Sequence, residues 1–348
     1  MRAFVCFEEF ADLPAEEAAL LAAQAAKERG STVRAYPMSF AKGFTEFYRK
    51  KFGGKILPTK YTDANRFLKN GAYGVGEDYG VLSVGDLLPI EDTLIKDPLC
   101  GTSYGLGEVV KNLLVLKKKR VVIALPEGCF FDLGVGFLSA LGGKFFNADG
   151  EAFLPTAESL SEIRSYDLTE PKKALDGVGI ELYVDKNRSL VSAVSDASAF
   201  GTRKTDQEVL KRNIDYLVSQ TDVFEHYPDF DGAGEGGGFC YMAVSFFHAT
   251  VRPFFDLVSD DIADGIASCD AVISGRIGCF SSSVASRTIS SVAALAAEKN
   301  KPVFLLSDDG KDGGIALFSP DRTRKENRAL LPQTLRDSLD GIFSSEAR

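Results

Sequence analysis

The chain has 348 residues, 45% of them apolar and 26% charged, with a formal charge of −9. That is enough to bury a sizeable core and, at ordinary domain sizes, to form two domains. The negative balance argues against a broad nucleic-acid surface, and no run approaches the ~18 consecutive apolar residues of a membrane span. Arg2, Glu8 and Glu9 stand where a leader would be basic and then apolar, so a cytoplasmic protein with no nucleic-acid or membrane partner is expected.

Residues 2–7 are an apolar, β-favouring run, Asp12 and Pro14 signal a helix start, and an Ala/Glu/Leu-rich helix runs to Arg29, where Gly30 stops it. Residues 32–36 read as a second strand. A β-α-β opening implies a parallel sheet, whose ligands gather at the carboxyl ends of strands, so the loops after Phe7 and Tyr36 are candidate site loops. Residues 52–88, rich in Gly, Tyr and Lys, have the texture of small antiparallel strands.

Next comes Asp97-Pro98-Leu99-Cys100-Gly101-Thr102-Ser103, a turn in which Thr102 or Ser103 can cap a helix carrying Val109, Val110, Leu113 and Leu114 at helical spacing. The unpaired amides of such a terminus favour an anion, and a capped helix without a ligand is the plainer alternative. The basic run Lys117-Lys118-Lys119-Arg120 suits a solvated helix C-terminus. A buried strand at 121–125 and a Gly-spaced helix at 133–141 follow, then a loose polar stretch at 155–175 and a glycine run at 232–238 ahead of a helix from Phe239.

The last third repeats the opening grammar, with a strand at 270–274, a helix at 284–299 capped by Ser281, Ser282 and Ser283, a strand at 302–306 and a fifth at 314–318. The six cysteines, Cys6, Cys100, Cys129, Cys240, Cys269 and Cys279, show no C-x-x-C and read as reduced core thiols. His226 and His248 are too far apart for a helical ligand pair, and His248, in an apolar stretch, reads as a core histidine. General base work then falls to a carboxylate. The fold expected is α/β, a parallel-sheet domain built from residues 1–50 and 201–348 and interrupted by a second mixed α/β domain at 51–200, with a cleft between them.

Four stretches, residues 97–110, 134–150, 232–238 and 269–275, resemble in order and spacing the bacterial glycerate kinase family, which phosphorylates glycerate with ATP. The resemblance spans nearly the whole chain. It implies that the parallel-sheet domain is flavodoxin-like, that ATP and Mg2+ are the cofactors of an active enzyme, that the substrate is a small hydroxy acid, and that the protein is a monomer or homodimer. Four loops depart from the family pattern. Phe7-Glu8-Glu9-Phe10-Ala11-Asp12 stands for Pro-Asp-Ser-Phe-Lys-Gly-Ser, and residues 39–45 for Ala-Asp-Gly-Gly-Glu-Gly-Thr. Residues 125–132 stand for a Gly-Gly-Ser-Ala-Thr-Asn-Asp loop, and residues 274–281 for Thr-Gly-Glu-Gly-Arg-Ile-Asp-Gly.

The resemblance implies substrate-hydroxyl or metal contact for Asp196, which otherwise closes an Asx turn, and for Asp132, which otherwise caps the helix from Leu133. The amides of Gly232, Gly234, Gly236 and Gly237 suit an anion nest, Ser281 and Ser282 open a helix, and Thr102 and Ser103 open another. Arg276 and Arg287 suit a clamp on carboxylate or phosphate, with surface ion pairs as the alternative. Two further readings stay open at this level. The first is a catalytically inactive homologue that serves as a small-anion-binding or interaction scaffold, favoured if Phe40, Phe44, Phe130, Phe131 and Phe280 fill the site. The second is an enzyme on another substrate using Glu8, Glu9, Lys42 and Glu127.

Overall fold

A computed structural model describes residues 1–89, 97–126, 130–190, 192, 204–219, 229–277, 286–310 and 313–345. In chain order its elements begin with β1 (Arg2–Phe10), α1 (Ala15–Glu28), β2 (Thr32–Ala35), α2 (Phe44–Phe52), β3 (Lys55–Thr62), β4 (Leu68–Val75), β5 (Tyr79–Ser83) and α3 (Val84–Leu87). They continue with α4 (Tyr104–Val115), β6 (Arg120–Ala124), α5 (Val135–Ala140), β7 (Lys144–Phe146), β8 (Ala152–Phe153), β9 (Ser165–Asp167), α6 (Thr169–Ala174), β10 (Gly179–Val184) and α7 (Lys204–Ser219). The last are α8 (Phe239–Phe247), β11 (Thr250–Pro253), α9 (Phe254–Ala267), β12 (Ala271–Ile277), α10 (Arg287–Glu298), β13 (Val303–Ser307), β14 (Ile315–Ala316) and α11 (Arg324–Ser345).

The chain divides into two compact units, Met1–Phe40 with Pro253–Arg348, and Ala41–Arg252. In the first, five parallel strands lie in the order β14-β13-β12-β1-β2. Numbered along the chain within this sheet, that is 2-1-3-4-5, the flavodoxin-like arrangement, whose switch point falls between β1 and β12. The alternation of β1 decides its packing. Ala3, Val5 and Phe7 face a core built with Ala18, Ala22 and Ala25 of α1 and Leu331, Leu335 and Leu339 of α11. Phe4 faces the other way, where an added Cβ on Gly265 of α9 would meet its ring.

The second unit holds a six-stranded sheet in the order β11-β10-β6-β5-β4-β3, with β5, β6 and β10 parallel and β3, β4 and β5 an antiparallel meander, as the texture of 52–88 predicts. A small antiparallel sheet, β8-β7-β9, accompanies it. This unit starts before residue 51 because Phe44 and Tyr48 of α2 pack on Tyr183 and Tyr79. It runs past residue 200 because Asn213 of α7 donates to the carbonyls of Ala157 and Glu158.

Several local expectations shift. The helix after β12 is capped by Ser286 and has Arg287 as its first residue; Ser281 and Ser282 lie outside the described residues. His248 is exposed, because it ends α8 in a left-handed conformation (φ 54°) and its side chain points away from the core. Cys6, Cys240 and Cys269 are buried as expected, whereas Cys100, on the turn before α4, is exposed. Cys129, Cys279 and His226 lie outside the described residues. Among the described residues no helix is long and apolar enough to cross a membrane.

Candidate functional site

Within the second unit, β6 and β10 run parallel and end together, with the Leu125 amide donating to the Tyr183 carbonyl (2.9 Å). The carboxyl ends of parallel strands are where open sheets hold ligands. The glycine run lies against them. Gly232 is next to Val184 and the Lys186 carbonyl, Gly236 packs on Leu125, and Gly237 comes so close to the Phe130 carbonyl that an added Cβ would sit 1.8 Å from its oxygen. Gly236 and Gly237 have φ of 60° and 61°, conformations open to glycine at no steric cost.

The hydrogen bonds of the run separate its amides into two classes. Those of Gly232 and Gly234 donate to the Arg188 carbonyl (3.1 and 2.9 Å), and that of Gly238 to the Gly234 carbonyl (3.1 Å). Those of Gly236 and Gly237 have no acceptor among the described residues. Buried backbone amides almost always have a partner, so two successive donors without one among the described residues, in buried residues, are an arrangement that can hold hydrogen-bonding oxygens. Beside them Arg188 forms a buried ion pair with Glu235 (Nη1–Oε2 3.7 Å), and Asp185 and Lys186 are buried as well. Asp185, Lys186 and Arg188 went unread in the sequence. Their signal was the polar run Asp185-Lys186-Asn187-Arg188 directly after β10.

Asp132, Thr102 and Ser103 do come together. One Asp132 oxygen, Oδ2, accepts from the Ser103 amide (2.8 Å), the Ser103 Oγ (3.0 Å), the Thr102 Oγ1 (3.2 Å) and the Gly136 amide (3.2 Å). Its Oδ1 accepts from the Gly134 amide (3.0 Å), and the Ser103 Oγ in turn accepts from the Phe137 amide (2.9 Å). Burial pushes the Asp132 carboxyl above its ordinary value, and these donors oppose the shift. The capping alternative therefore describes Asp132, extended to tie the starts of α4 and α5 together, and the two hydroxyls turn to it instead of to an outside anion.

In the first unit Arg276 lies in β12 and its Nε is 3.3 Å from the Glu8 Oε2, both side chains being nearly inaccessible. Arg287 opens α10 and is half-buried. Of the clamp read from the sequence, Arg276 is thus committed to an internal carboxylate. Both arginines belong to a different unit from Asp132 and the glycine run. Glu9 accepts from the Phe40 amide (2.8 Å). The phenylalanines of the altered loops fill cores of their own units, Phe40 against Phe254 and Phe44 against Tyr183, and Phe130 and Phe131 are buried. Asp196, Glu127 and Phe280 lie outside the described residues. Among the described residues no group of three or more His, Cys, Asp or Glu side chains is placed to hold a metal ion.

Residues 4–320 match the model of the glycerate kinase family. A glycerate kinase of Bacillus subtilis (strain 168) is 26% identical over 226 residues, covering 63% of this chain and 58% of its own length. A glycerate kinase of Bacillus cereus is 28% identical over 189 residues, 52% of this chain and 50% of its own. A glycerate 2-kinase of Escherichia coli (strain K12) is 26% identical over 227 residues, 63% and 59%. The chain thus spans between half and three fifths of the length of these relatives. A solved structure of a glycerate kinase 2 from Salmonella typhimurium LT2 shares the fold, with a TM-score of 0.71 at 21% identity over 100% of this chain and 98% of that one. With the family model matched from one end of the first unit, through the second, to β14, the chain belongs to the glycerate kinase family.

Proposed function

We propose that this protein is an ATP-dependent phosphotransferase acting on glycerate or a related small hydroxy acid. The observation that carries the reading within the structure is the amide pair of Gly236 and Gly237, which has no acceptor among the described residues and lies at the carboxyl ends of β6 and β10. Phosphoryl transfer is catalysed mainly by positioned donors and cations on the phosphate oxygens, and a fixed amide pair supplies two such donors. A nucleotide phosphate fits this pair in charge and in hydrogen-bonding type, and the magnesium ion would arrive with the nucleotide. Neither the family membership nor the amide pair favours the inactive scaffold.

Titration calorimetry of the full chain with Mg-ATP, followed by coupled ADP release with D-glycerate on the same sample, tests the reading. Binding with glycerate-dependent release is the expected result. No heat and no release would overturn it. A Gly236→Ala variant localises the site: alanine keeps the amide N–H but resists the left-handed φ of 60°, so it pulls the amide out of line, and Mg-ATP affinity is expected to fall about tenfold.

A further inference from the structure

The parallel-sheet unit has a place where open α/β sheets hold anions, the switch point between β1 and β12, with a helix opening nearby. That place already contains a carboxylate of the chain itself. Glu8, two residues before the end of β1, is fully buried. Its Oε1 accepts from the Ser286 Oγ (2.8 Å) and its Oε2 faces the Arg276 Nε (3.3 Å). Ser286 is the N-cap of the 12-residue α10, and its Oγ also accepts from the Ile289 amide (3.1 Å), so Glu8 is joined through one hydroxyl to the positive end of a helix. A guanidinium, a hydroxyl and a helix N-terminus are the groups with which proteins hold a free carboxylate or phosphate.

We infer that Glu8 is a built-in anion that closes this site and sets the specificity of the parallel-sheet unit, which refuses phosphate and carboxylate ligands at its switch point. The anionic groups of a substrate are then left to the glycine run of the other unit; this last clause alone rests on the proposed function. A buried charge stripped of its partner is costly. Removing the Glu8 carboxylate therefore leaves Arg276 and Ser286 with an anion-shaped vacancy that a small carboxylate can enter.

The test is thermal unfolding of full-length Glu8→Ala and Glu8→Ser beside the unsubstituted protein, in sodium formate and in sodium chloride of equal ionic strength. Both variants are expected to melt earlier, and formate to raise their midpoints by about 2–4 °C more than chloride does, as a ligand bound only to the folded state must. The unsubstituted protein is expected to respond alike to the two salts. A formate response no larger in the variants than in the unsubstituted protein would sink the inference. So would failure of both variants to be recovered folded even with formate present. Kinase activity does not enter this readout, so loss of the proposed function and loss of this inference are separate results.

Discussion

Gly236 and Gly237 are neighbours with nearly equal φ, and the space around them makes their substitutions unequal. An alanine at 237 meets the Phe130 carbonyl oxygen, backbone that cannot move aside, so Gly237→Ala is expected to cost more than about 3 kcal/mol, strain plus overpacking. At 236 the nearest atoms are 3.2 and 3.3 Å away, the Cδ2 of Leu125 and the Cβ of Phe239, and the expected cost is about 1–2 kcal/mol for a left-handed alanine. Urea unfolding of both variants measures the difference, and equal losses would refute this account of the loop. Asp132 makes the complementary case. Its two oxygens accept from five protein donors, and an asparagine would turn an N–H toward some of them. Asp132→Asn is therefore expected to lose about 2–3 kcal/mol, the cost of buried donors left without acceptors, read from the same unfolding curves. The glycine run and Asp132 were visible in the sequence because they sit at motif spacing. The use of Asp132 as a tie between α4 and α5 was not, since its donors at 102 and 103 come from a distant turn.

Helix α11 shows how neighbouring positions on one element can differ. Leu335 is fully buried against the first unit's sheet and α1, and Leu335→Ala is expected to cost about 2–5 kcal/mol. Arg336, one residue on, pairs with Glu28, whose side chain is 64% exposed, and Arg336→Ala is expected to change stability by less than about 1 kcal/mol. Thermal melts of the two variants check the contrast, and a larger loss at Arg336 would overturn the assignment of this helix to hydrophobic packing. The apolar series Leu331, Leu335, Leu339 and Ile342 is the sequence signal for α11, obscured by Pro332 inside the helix, a residue that usually marks a helix end. By contrast β1, α1 and β2 were legible because alternation, an alanine-rich face and a glycine stop all act within a few residues.

For the molecule as a whole, burial sets the response to alkali. Cys6, on β1 inside the parallel sheet, is pushed by desolvation from 9.0 to about 12, and burial likewise pushes Tyr48 of the other unit from 10.0 to about 12. As the pH rises from 9.0 towards 12 the unfolded chain releases the Cys6 proton while the fold keeps it, so stability falls over that window, by about 4 kcal/mol for Cys6 at its upper end. Melting temperatures across this range are expected to drop in the natural chain and to drop less in Cys6→Ala; parallel slopes would sink the explanation. The β1-α1-β2 opening, the parallel character of the terminal sheet and the family motifs were determined by the sequence alone, because hydrophobic period, turn chemistry and motif spacing are properties of short stretches. Which charges meet was decided only by the tertiary structure. Glu8 and Arg276 pair across the two ends of the chain, Arg188 and Glu235 across the span between β10 and the glycine run, and the amides of Gly236 and Gly237 are left over. Partnership depends on distances of a few ångströms between residues that spacing along the chain does not relate.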